Sequence, residues 1–191
     1  MKKRSRILYF LQEISIVVIG VVIAVSIGNY KENANNERYI EKTLLAIENE
    51  IELSQTEIDT VLRRHIKLYE ILGSEMGVDE QTLGELISSS GGFQVASIKN
   101  ISLRFFISNK AELLEFQLIS QLLDIELKSE MLSSKIKLLS DFAYGNVNEG
   151  NDEVKIKFTY LLANVIDGEQ TLLESYSSFL EENKSYLKNH R

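Results

Sequence analysis

Glu13 is out of keeping with its surroundings, a carboxylate inside the apolar run Ile7 to Gly28, ILYFLQEISIVVIGVVIAVSIG. An ionisable group in such a run is costly and marks a functional position by default. It either reaches the near interface, pairing with Arg6 or a lipid headgroup, or meets a partner helix. Gly20, Ala24 and Gly28 recur at i, i+4 and i+8, and Glu13 falls on nearly the same face, seven residues before Gly20. Small residues at that spacing let two helix backbones approach closely, the usual route to association within lipid. The chemistry expected of these four residues is helix–helix packing rather than catalysis.

Other reactive side chains form no constellation. His65 lies on an apolar helical seam and is expected to be packed; His190 is next to the terminus. No H-E-x-x-H cluster exists to bind zinc. The run GNVNEGND (145–152) is rich in calcium-type ligands, but counting from Asn146 places Gly150 at loop position 5 rather than 6. An ordinary polar connection is expected there. There is no Cys, so disulfides and thiol chemistry are excluded. G-x-S-x-G, Walker and dinucleotide motifs are missing. Catalytic residues, metal ligands and cofactors are therefore all expected to be none, and the chain is expected not to be an enzyme.

The element that positions Glu13 and the small residues is a membrane span. Its 22 residues would cover about 33 Å, enough for a bilayer core. Tyr9 and Phe10 sit near the entry and Tyr30 at the exit, where interfacial aromatics belong. Lys2, Lys3, Arg4 and Arg6 precede the span, while mixed charges follow it. The positive-inside rule then puts residues 1–6 in the cytoplasm as a short basic tail, 7–28 across the inner membrane and 29–191 in the periplasm. A cleaved signal peptide is the rival, since Ala24-Val25-Ser26 is a passable small-x-small site; an uncleaved anchor is expected. Residues 31–191 hold 17 basic and 27 acidic residues, a net charge of −10. That balance repels phosphate backbones, so nucleic acid is not an expected partner.

The run Glu13-Ile14 … Val18-Ile19-Gly20-Val21-Val22-Ile23-Ala24 … Asn29-Tyr30-Lys31-Glu32 resembles the start of a family of single-span membrane proteins of unknown function from Gram-negative bacteria. There a basic tail leads into E-I-x-x-V-x-I-G-x-x-I-A, closed by N-N-W-N-E and a charged helix. Gly28 stands for the first Asn and Tyr30 for Trp, and the likeness covers about residues 5–55. The resemblance implies an anchored helical protein of the inner membrane and no activity. A lesser likeness is to type IV pilins and pseudopilins, which also carry a glutamate early in an apolar helix. Their processing would place cleavage after Leu8, where a Gly is required, and no β-rich half follows.

Beyond the span the sequence reads as all-α. Ile40, Leu44, Ile47, Ile51, Ser54, Ile58, Val61, His65, Leu68 and Leu72 follow a 4-3 spacing with no Gly or Pro from 29 to 72. This predicts one long amphipathic helix, continuous with the span. Its seam serves either a coiled coil between protomers or an intramolecular bundle. Later amphipathic segments favour the bundle. Asp79 is expected to cap a short helix over roughly 80–89, and Gly91-Gly92 to break the chain. Residues 93–107 are ambiguous between a hairpin turning at Lys99-Asn100 and helix or loop, the latter preferred. Asn109 is expected to cap a helix to about Tyr144, interrupted near Asp124, and a last helix runs from Asp152 to about Asn189. Together these predict an up-down bundle.

Two functions remain. The first is a non-enzymatic scaffold or accessory subunit, a homo-oligomer or the partner of another membrane protein. The second is a ligand-sensing module relaying through the span to a separate output protein, for which a buried pocket with convergent polar groups would be the mark.

Overall fold

A computed structural model describes the backbone of residues 3–74 and 81–184, together with Leu187. All regular elements among the described residues are helical: α1 (Lys3–Ser74), α2 (Leu83–Ser89), α3 (Ile101–Lys110), a 3-10 turn at Ala111–Leu113, α4 (Phe116–Gly145) and α5 (Asp152–Glu182). The chain divides into two compact units, Met1–Lys42 and Thr43–Arg191.

The first unit is the N-terminal stretch of α1. Every large apolar side chain from Tyr9 to Ile27 is exposed, Val17 at 64% and Ile19 at 57%. This segment contains the one helix among the described residues that is long and apolar enough to cross a membrane.

The second unit is a helical bundle built on the 4-3 seam. Leu44, Ile47, Ile51, Ile58, Val61, Leu68 and Leu72 are all buried, while Ile40, in the first unit, is half-buried. The seam from Leu44 onward is thus closed by the chain's own later helices. Burying each Leu or Ile contributes about 1.5–3 kcal/mol. Exposed ion pairs such as Arg63–Asp59 contribute at most about 1 kcal/mol, so the apolar seam decides the packing.

Cross-links fix the helix directions. Gln55 donates to Ser177 at 2.9 Å and His65 meets Glu169, so α1 beyond Thr43 and α5 run antiparallel. Gln121 donates to Glu182, Lys128 to Ser175 and Lys135 to Asp167, so α4 and α5 are antiparallel too. Between α1 and α4 the chain returns through residues 93–100, which have no regular structure, and then α3. Gln94 lies beside His65, Ser97 beside Glu57, Lys99 beside Ser54 and Ser102 beside Glu50. The order is up-down-up-down, with the second leg made of the irregular residues 93–100 and α3.

Several boundaries differ from expectation. Asp79 lies outside the described residues; the cap of α2 is Thr82, whose hydroxyl accepts from the Glu85 amide while the Glu85 carboxylate accepts from the Thr82 amide. The Thr82 amide foremost, and the Thr82 hydroxyl donating to the same carboxylate at 3.1 Å, hold the Glu85 carboxyl below its usual range. Asn109 caps nothing: it sits in the last turn of α3, donating to the Phe105 carbonyl at 2.7 Å. The break falls at Leu114, whose extended backbone separates the 3-10 turn from α4. Past it, α4 runs without interruption through Asp124. Residues 93–107 form no hairpin.

Gly91 and Gly92 both take positive φ, 101° and 85°, the region glycine occupies without steric cost, and so turn the chain out of α2. Gly84 is required for a different reason. Its amide donates to the Val147 carbonyl at 2.8 Å, and a Cβ there would stand 2.6 Å from Val147 Cγ2 and 2.8 Å from that oxygen. Gly84→Ala is therefore expected to lower stability by about 1–3 kcal/mol. Chemical denaturation measures this, and an unchanged midpoint would contradict the close approach.

Candidate functional site

Two places carry the unusual chemistry, one in each unit. In the first, Glu13, Gly20, Ala24 and Gly28 lie along α1, all exposed, and nothing stands within 4 Å of a Cβ added at Gly20 or Gly28. Their spacing keeps them on nearly one face of a single helix. Among the topology residues, Lys2 lies outside the described residues, as do the side chains of Lys3, Arg4 and Arg6.

In the second unit a row of polar side chains runs up the inner face of α1. Glu50 accepts from the Ser102 amide at 2.9 Å and from its hydroxyl at 3.0 Å. This carboxylate serves the first turn of α3, whose own Asn100 makes no side-chain cap. Ser54, fully buried, accepts from the Lys99 amide at 2.9 Å and donates to its carbonyl at 3.4 Å. Glu57 accepts from the Ser97 amide at 3.1 Å. His65 Nε2 reaches the Gln94 carbonyl at 2.8 Å, and its ring stacks on Phe93 with centroids 5.2 Å apart.

His65 and Glu169 are the most buried of these groups, at 1% and 0% exposure. Nδ1 stands 3.0 Å from each carboxylate oxygen. A carbonyl can only accept, so Nε2 must carry a hydrogen. The two groups are the polar pair through which α1 and α5 meet in the core.

Tyr176 on α5 completes the seam. Its hydroxyl contacts those of Ser129 and Ser54, and burial pushes the phenol above its ordinary value, with Glu50 adding to the rise and the two hydrogen bonds opposing it. The sequence reading found His65 but not its partner. Glu169 was detectable, since it stands between Val165 and Leu172 at the same 4-3 spacing, a charged residue at a core position of α5.

These polar groups converge on one another rather than on a cavity. An open groove of about 280 Å³ between α4 and α5 is lined by Gln121, Asp124, Lys128, Glu174, Ser175 and Ser178, and Lys128 already pairs there with Asp124 and Ser175. The 145–152 connection is occupied structurally: Val147 and Glu149 carbonyls accept from α2, and Asn151 caps α5 through the Val154 amide at 2.9 Å. No group of three or more His, Asp or Glu among the described residues is placed to hold a metal ion. His190 lies outside the described residues. Comparison with protein-family models, curated proteins and solved structures finds no match.

The raised Tyr176 phenol gives a signed prediction. Its neutral form is favoured in the fold, so its contribution is full below the unfolded value near 10 and is lost as pH rises through the higher folded value. Tyr176→Phe should be less stable at neutral pH but lose stability less steeply between about pH 9 and about pH 11. Urea unfolding at several pH values reads this, and equal slopes in the two proteins would exclude the assignment.

Proposed function

We propose that this chain is a non-enzymatic single-pass protein of a bacterial inner membrane, a scaffold or accessory subunit that assembles through the α1 face bearing Glu13, Gly20, Ala24 and Gly28. The observation that carries the reading is the unburied apolar surface from Tyr9 to Ile27. A contiguous apolar surface of that extent is not left facing water in a monomeric soluble protein. The twelve Ile, Val, Leu and Phe residues from Phe10 to Ile27 would each favour insertion by about 0.3–0.6 kcal/mol, roughly 4–7 kcal/mol together. Glu13, away from the span's centre, opposes this by no more than about 3 kcal/mol.

Orientation follows from the basic residues ahead of the span, which keep the N-terminus cytoplasmic and put the bundle in the periplasm. The likeness of residues 5–55 to the single-span family supports the same placement. The small residues are the natural contact, because a helix has no hydrophobic reason to leave lipid for another helix and gains instead from close backbone packing. The seam from Leu44 to Leu72 is taken up by the chain's own bundle, which leaves the span as the assembling surface.

Gly20→Ile with Ala24→Ile is expected to break the assembly, read as loss of the homo-oligomer or of a stoichiometric partner by native mass spectrometry in mild detergent. Unchanged association in detergent and in cells would refute the packing face. Orientation is tested separately. The chain has no Cys, so a single cysteine at Ser177 should react with a membrane-impermeant maleimide in spheroplasts. Protection until lysis would reverse the topology.

A further inference from the structure

We propose that residues 93–100 are a detachable strap, latched to the bundle through His65 and opening as a unit while the α4–α5 pair stays folded. Among the described residues the strap makes no backbone–backbone hydrogen bond except at its ends, where Gly92 donates to Ile87 and Asn100 accepts from Arg104. Between those ends its backbone is held by side chains of α1: Glu57 on Ser97, Ser54 on Lys99 and His65 on Gln94. Its own side chains bury little. Gln94, Val95, Ser97 and Lys99 are exposed and only Ala96 is buried. A segment with few buried apolar contacts, and with its bonds made to side chains, belongs to the low-stability end of a fold.

Both ends suit such an opening. Gly91 and Gly92 form a two-residue hinge at positive φ with open space around them. At the other end α3 is fixed by buried Leu103 and Phe106 and by Arg104, which pairs with Glu126 and Glu130 on α4.

His65 makes the strap responsive to the helices beneath it. One ring nitrogen holds the strap, the other holds Glu169 on α5, and the ring plane lies on Phe93. Glu169 has no hydrogen bond to the strap, so it acts on it only by orienting the imidazole; it is a positioning residue. A change in how α1 sits on α5 would turn the ring and loosen Gln94. Opening would uncover the row Ser54, Glu57 and His65 to solvent.

The test is amide hydrogen exchange on the full chain in mild detergent. The Ser97 and Lys99 amides should exchange at least about ten-fold faster than those of Leu132, Leu139, Leu162 and Val165, with little dependence on added urea. Glu169→Ala should speed Ser97 and Lys99 further. Glu169→Gln, whose amide N–H can donate to Nδ1, should restore them. Glu57→Ala, which leaves the core intact, should speed Ser97 without altering α4–α5. The proposal is overturned if strap and α4–α5 amides exchange at one rate with one urea dependence. It is equally overturned if Glu57→Ala accelerates both alike, or if Glu169→Ala leaves the strap unchanged while the protein is folded.

Discussion

The bundle depends on closing the apolar seam of α1 from Leu44 to Leu72. These side chains repeat at a 4-3 spacing, so they form one apolar stripe along the helix. α5 covers one flank, running antiparallel, and α4 reaches the level of Ser54 through Ser129 and Tyr176. The irregular segment 93–100 lies along the same helix, from His65 down to Ser54.

That segment brings a second constraint. Buried peptide groups outside regular structure must still find partners. α1 supplies them from the seam itself, with Ser54 and His65, and from beside it, with Glu57, each meeting the passing backbone. A helix in this position would have satisfied its own backbone and required none of these polar residues. The polar row and the irregular segment are thus one arrangement. The same logic explains Glu50, which replaces the cap that Asn100 does not provide.

The His65–Glu169 pair is the place where both constraints meet. Neither group is tolerable alone at such burial, and removing one partner would strand the other. The ring bridges them: Nδ1 faces Glu169 on α5 and Nε2 holds the strap. The pair joins α1 to α5 at a single level of the bundle.

Much of the fold was legible because it rests on periodicity and punctuation. The apolar run from Ile7, the 4-3 stripe and the Gly91-Gly92 break are local patterns: the first two are helical and the third ends α2. Asn109 and Leu114 were not legible. Asn is a good cap by type, yet whether it caps depends on the backbone three residues on, and the extended Leu114 moved the start of α4 to Phe116. The partners of His65 were hidden for a related reason. A histidine on an apolar face announces only that it needs hydrogen bonds. That Glu169 lies 104 residues away and that Gln94 offers its carbonyl follow from which helices pack and in what direction. The sequence by itself determined the apolar helix, the helical class and the seam, because these follow from residue type and spacing along one element. Only the tertiary structure decided that the seam closes within the chain and that the second leg is a strap. Those outcomes depend on long-range burial and on satisfying each peptide group, which no local pattern records.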